Sequence, residues 1–168
     1  MKKNLPLALF LILEILVLAF ILATSSYLPD IVASHFNGAG VPNGFMTKKF
    51  YIGFMVVLVF GVPSIVAGGM SLVGLFPESR ISLPNKHVWL SEKYRESTFA
   101  YMKLHALVIG ASIAVFMAYV HWLVVKANRA VPAHLASEEI ISGLIIFAIV
   151  FIGWGIMLPV KFMRLPKE

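Results

Sequence analysis

The chain has 168 residues, 60% of them hydrophobic and only 13% charged, with a formal net charge of +6 and no cysteine. Apolar residues stand in long unbroken blocks that a soluble core of this size cannot absorb, so the composition points to a bilayer. The missing cysteines exclude disulfides, iron–sulfur clusters, thiolate metal sites and cysteine nucleophiles.

A helix needs roughly 20 apolar residues to cross a hydrocarbon layer of about 30 Å. Four stretches meet this, Leu5–Leu28, Tyr51–Phe76, Leu104–Val125 and Glu139–Val160. The expected fold class is all-α integral membrane, with residues 1–168 forming one membrane domain built as a four-transmembrane-helix bundle. Lys2 and Lys3 followed by an apolar run and Ala23-Thr24-Ser25 resemble a signal peptide, but the run is long for one, and a retained helix is expected. Lys and Arg near the span ends set orientation. With the N-terminus inside, Lys2, Lys3, Arg80, Lys86, Lys93, Arg95, Lys103, Lys161, Arg164 and Lys167 fall inside, against Lys48, Lys49, Lys126 and Arg129 outside. This predicts both termini in the cytoplasm. It also accounts for the positive charge without nucleic acid, through the lipid bilayer itself.

Along the first span, Glu14 is the one acidic residue at mid-membrane depth. A charge there costs about 2.5–3.5 kcal/mol on insertion scales, so a protonated carboxyl is expected, hydrogen-bonded inside the bundle to Ser64 or Ser112 at matching depth. The outer loop from Leu28 to Lys49 holds turn formers at Asn37-Gly38, Gly40 and Pro42-Asn43-Gly44, interleaved with Phe36, Val41, Phe45 and Met46. Such a loop is expected to be ordered and folded onto the bundle, with His35 held beside the turns. Pro63 in the second span removes a backbone donor and predicts a kink.

The inner loop places Ser91 as a plausible N-cap with Glu92 in the first turn, predicting an amphipathic helical segment that leads into the third span. Trp89, Tyr94 and Tyr101 are read as interfacial anchors. On the third span Ala106, Gly110, Ala114 and Ala118 recur every four residues as a smooth packing ridge. The ridge suits a neighbouring helix of this chain or a second protein. The fourth span carries Gly143 and Gly153-Trp154-Gly155 and is expected to stop before Pro159.

At the two loops the chain resembles the membrane domain of uncharacterised function that forms the N-terminal part of SdpI-type bacterial proteins. The outer pattern falls on Leu28, Pro29, Val32, His35, Phe36, Asn37, Gly40, Pro42, Gly44, Phe45 and Lys48, with Ala33 where that family usually has proline. The inner pattern falls on Asn85, Trp89, Leu90, Arg95 and Thr98. Full-length SdpI proteins continue into further membrane helices that this sequence does not contain. The resemblance implies a bacterial inner-membrane location and a role linked with immunity to a secreted toxin or with signalling at the membrane. It also marks Pro29, His35, Phe36, Asn37, Gly40 and Phe45 as a candidate interaction loop, and Asn85, Trp89 and Arg95 as a candidate inner motif.

No catalytic set is legible. There is no phosphate-binding glycine loop, nucleophile elbow or acid pair at a working separation. His35, His121 and His134 fall on the outer side with Asp30, Glu138 and Glu139, a nitrogen and oxygen set without metal-site spacing, so no metal and no cofactor is expected. The expected function is that of a non-enzymatic interaction protein that binds another membrane protein, either as an accessory subunit or as an SdpI-like immunity or signalling protein. Homo-oligomers are open to it. The alternative is a small oligomeric transporter or channel, with Glu14 and Ser112 lining the pore.

Overall fold

The computed structural model describes residues 4–165; Lys2, Lys3 and Lys167, which enter the charge asymmetry, lie outside them. Four long helices dominate: α1 (Leu5–Thr24), α2 (Lys48–Ser71), α4 (Arg95–Arg129) and α5 (Ser137–Met163). Each is long and apolar enough to cross a membrane. Within hydrocarbon a backbone must satisfy its polar groups internally, which is why these apolar runs become uninterrupted helices.

The all-helical expectation is corrected at the first connection. Residues after α1 form an antiparallel hairpin, β1 (Ile31–Phe36) and β2 (Pro42–Thr47), and the chain enters α2 directly from β2. Thr47 begins α2 by accepting a hydrogen bond from the Phe50 amide at 3.4 Å. The turn is organised by Asn37, whose Oδ1 accepts from the amides of Ala39 and Val41, both at 3.0 Å. Gly40 completes it at φ +74°, a conformation that glycine adopts without a Cβ penalty.

The packing also departs from a four-helix bundle. α1, α2 and α4 form the core, with α4 between the other two in the most extensive contacts. Val17, Ile21, Tyr51, Met55, Val59, Val124 and Val125 make its main cluster. α5 packs on α4, and none of its apolar stretch is buried, whereas 44% of α4's is. At about 1.5 Å per residue, the 35 residues of α4 extend well beyond a layer of about 30 Å. Its C-terminal end receives the hairpin and its N-terminal end the segment before it.

That inner segment differs from the expected helix start. A single helical turn, α3 (Lys86–Trp89), is separated from α4, which begins at Arg95 without a side-chain cap. The Ser91 hydroxyl donates instead to the carbonyl of Val88 at 2.6 Å, so it closes the α3 turn and does not cap α4. Pro159 lies inside α5, near its end, and does not terminate it. At that point the helix is fastened by other residues, described below.

Candidate functional site

The core's polar centre is His121, fully buried on α4. Its Nδ1 lies 3.0 Å from the hydroxyl of Tyr51 on α2, and its Nε2 lies 2.9 Å from Thr24 Oγ1 on α1. The Thr24 hydroxyl donates to the carbonyl of Phe20 at 2.7 Å. One assignment satisfies every atom: Tyr51 donates to Nδ1, Nε2–H donates to Thr24, and Thr24 donates back to its own helix. That assignment is the neutral imidazole. The Tyr51 ring also stacks on His121, with centroids 5.7 Å apart. His121 thereby joins all three core helices through one side chain. Grouping His121 with the outer-side histidines misses this junction; the rule that draws attention to Glu14, that a polar residue within a span must be satisfied by protein, finds it.

Glu14 is buried in the same core, two turns of α1 below Ile21 on a face shared with Phe10 and Val17. Neither carboxyl oxygen has a hydrogen-bond partner among the described residues. The expected bonds to Ser64 and Ser112 are absent. Ser64 is exposed on α2, and Ser112 donates to the Val108 carbonyl of its own helix at 2.9 Å. Ser112 lines the α4–α5 cavity instead of facing Glu14.

The small-residue ridge turns inward. Ala106, Gly110 and Ala114 are buried and Ala118 is half-buried. A Cβ on Gly110 would stand 3.1 Å from both Phe10 Cε2 and the Pro63 carbonyl oxygen, so its absence lets α1 and α2 close on α4.

Outside the core, polar residues at each end hold the remaining pieces. On the hairpin side, Asn128 of α4 grips β1 at Ala33: its Oδ1 accepts from the Ala33 amide at 2.8 Å and its Nδ2 donates to the Ala33 carbonyl at 2.9 Å. Lys48 donates to the carbonyls of Leu28 and Ser26 at 2.8 and 3.3 Å. The hairpin tip sits against the α4–α5 connection, where the Leu135 amide donates to the Gly40 carbonyl at 2.9 Å. Any side chain on Gly40 would run into the Leu135 carbonyl and the His134 ring. Of the candidate interaction loop, Asn37 and Gly40 are committed to this turn and docking, and Phe36 packs on the core. Pro29, His35 and Phe45 are exposed, with His35 Nδ1 2.6 Å from Asn43 Oδ1 across the hairpin.

On the opposite side, the candidate inner motif ends α5. Asn85, itself at φ 50°, donates through Nδ2 to the carbonyls of Phe162 and Met163 at 3.1 and 3.0 Å. The indole of Trp89 donates to the Phe162 carbonyl at 2.9 Å. Helix C-termini leave such carbonyls without intrahelical donors, so these two side chains act as a C-cap supplied from elsewhere in the chain. Trp89 is buried against Tyr94 and Phe162. Thr98 fixes α3 by donating to the Trp89 carbonyl at 2.8 Å, and Arg95 pairs with Glu78. At its N-terminal end α5 is held by the Lys126–Glu139 ion pair and by the Tyr119 hydroxyl, which donates to the Glu139 carbonyl at 2.7 Å.

Between these two attachments α4 and α5 meet only in part. A cavity of about 590 Å³ opens along them, lined by Ser112, Val115, Phe116 and Tyr119 on one side and Ile146 and Phe147 among those on the other. Phe116 and Phe147 stack across it with centroids 4.4 Å apart.

Residues 11–61 match a family described as a domain of unknown function (DUF1648). The match runs from α1 through the hairpin into the middle of α2, and so includes Glu14, Thr24 and Tyr51 but neither α4 nor α5. No curated protein and no solved structure matches the chain. Among the described residues no group of three or more histidine, aspartate or glutamate side chains is placed to hold a metal ion. His121 is sealed in the core, His35 is on the hairpin, and His134 is beside its tip.

Proposed function

We propose that this chain is a non-enzymatic integral membrane protein whose fourth long helix is a docking element for a helix of another membrane protein, making the chain an accessory subunit. One observation carries the reading. α5 is fastened at both ends by specific polar contacts, yet contributes none of its apolar stretch to the chain's own interior. The exposed flank is also ordered for helix contact: Ile145, Ile149, Ile152 and Ile156, spaced four, three and four residues apart, are each more than half exposed. Stiff β-branched side chains on one stripe lose little rotamer freedom when a second helix packs on them. The charge asymmetry supports a cytoplasmic placement of both termini in a bacterial inner membrane.

An accessory-subunit role is preferred to SdpI-like immunity or signalling because its support lies in α5, outside the matched segment 11–61. The test is a mild-detergent pull-down of tagged protein from its native membrane, with quantitative mass spectrometry and native mass. The expected result is one larger complex of fixed stoichiometry. Recovery of the chain alone, as monomer or homo-oligomer, would remove the subunit reading.

A small oligomeric transporter or channel is the second reading, favoured by Glu14, whose buried carboxyl lacks a partner among the described residues. Ion or proton flux in liposomes that is abolished by Glu14→Gln is its signature. Absence of flux from the purified protein would rule it out.

A further inference from the structure

Beside the end of α5, on the side away from the hairpin, a second cavity of about 590 Å³ opens between α3, the start of α4 and the last turns of α5. The rings of Trp89, Tyr94 and Tyr101 wall it, and Lys161 and Arg164 supply its charge. Lys161 Nζ stands 5.4 Å from the centroid of Trp89 and 5.8 Å from that of Tyr101. A third cation, Lys93, lies over Tyr94 at 5.1 Å. An ammonium held on ring faces is oriented without being neutralised, so its charge is still available to an anion. None of the described residues that line the cavity is acidic.

The end of a helix ordinarily works against an anion, because its free carbonyls carry negative partial charge. Here that charge is covered. The carbonyls of Phe162 and Met163 accept from Asn85 and Trp89, which withdraws them from the cavity's electrostatics. The remaining lining is apolar and continues down the lipid-facing side of α5 through Val160 and Met157. The cavity thus has a basic, aromatic upper part at a helix end and an apolar lower part within a span. Tyrosine and tryptophan at a membrane boundary, with basic side chains beside them, match the level of lipid headgroups.

We propose that this cavity binds the headgroup of an anionic phospholipid, its phosphate between Lys161 and Arg164 and its acyl chains along α5 past Met157. A phosphate alone would leave the apolar half unused, and a zwitterionic lipid would bring its own cation into the basic half. The site lies in the leaflet opposite the hairpin.

The test measures lipid retention by native mass spectrometry on full-length protein from nanodiscs of phosphatidylcholine doped with phosphatidylglycerol. Wild type is expected to retain phosphatidylglycerol saturably and in preference to phosphatidylcholine. Lys161→Gln combined with Arg164→Gln is expected to weaken retention about 25-fold, at roughly a fivefold loss per basic residue near an anionic surface. Lys161→Arg is expected to retain the lipid, and Lys126→Gln, on the hairpin side, to leave retention unchanged. Unchanged retention in the double variant while its unfolding temperature equals that of wild type would overturn the proposal. So would displacement of the lipid by millimolar inorganic phosphate, which would make this a free-phosphate site.

Discussion

The three core helices and α5 are equally able to cross a membrane but are held in opposite ways. α1, α2 and α4 are joined along their length, by the Gly110 close approach within the spans and by the His121 junction near the hairpin end, with an apolar cluster around that junction. α5 is joined through its ends, by a Glu139 contact at one and the Asn85 and Trp89 cap at the other, with an open cavity between. In hydrocarbon there is no hydrophobic drive between helices, so close packing and hydrogen bonds decide which helices associate. The core has both, close packing at Gly110 within the spans and hydrogen bonds at His121 near their hairpin end. α5 has hydrogen bonds to the rest of the chain at its two ends, with the Phe116–Phe147 stack between them, while its opposite flank is free.

This contrast can be broken or sharpened by substitution, in decreasing order of expected effect. Gly110→Leu drives a side chain into the Pro63 backbone and Phe10, and should destabilise the fold near the upper end of the usual overpacking cost of about 1–3 kcal/mol. Thermal unfolding in detergent reads it. His121→Phe keeps a ring but leaves the Tyr51 hydroxyl unpaired in the core, with an expected loss of about 1–3 kcal/mol. Adding Tyr51→Phe should recover part of that loss, because the orphaned group is then gone; a fully additive double variant would show that the junction contributes only packing.

At the other pole the effects shrink. Trp89→Phe removes the indole donor and keeps the aromatic contact with Phe162, so about 1 kcal/mol is expected. Its effect should be local: faster hydrogen exchange in the last turn of α5, with core unfolding unmoved. Ile149→Ala should change stability by no more than about 0.5 kcal/mol, as expected for an exposed position, while reducing recovery of the partner in a pull-down.

How much of this was legible beforehand follows from what each feature depends on. Four spans follow from apolar runs, and the structure has four helices of the required length and character. Their packing does not follow, because a side chain facing lipid and one facing a helix are apolar alike. α4, the most buried, is the least apolar of the four spans, and α5, the least buried, is more apolar than either α4 or α2. The small-residue ridge pointed to a close approach, and Gly110 makes one, but composition alone left open whether its partner was internal. The hairpin was concealed by its own turn residues: Gly38, Gly40, Pro42 and Gly44 interrupt the alternation that marks strands, although Asn37 and Gly40 are what the turn requires. Glu14 stood out in the sequence as a charge among apolar residues. His121 carries the actual hydrogen-bonded junction and was passed over for its nearness to the span's end. Asn85 and Trp89 were marked by the resemblance, yet their task as a cap on α5 depends on a contact 73 to 78 residues away in sequence.

The claim that α5 is presented outward is tested most directly by site-specific photo-cross-linking in the native membrane. A benzophenone side chain introduced at Ile149 on the free stripe would be compared with one introduced at Val59 in the core. The account predicts a discrete heavier adduct of one partner protein from position 149 and no intermolecular adduct from position 59. Lipid adducts alone at position 149, or the same adduct from both positions, would contradict it.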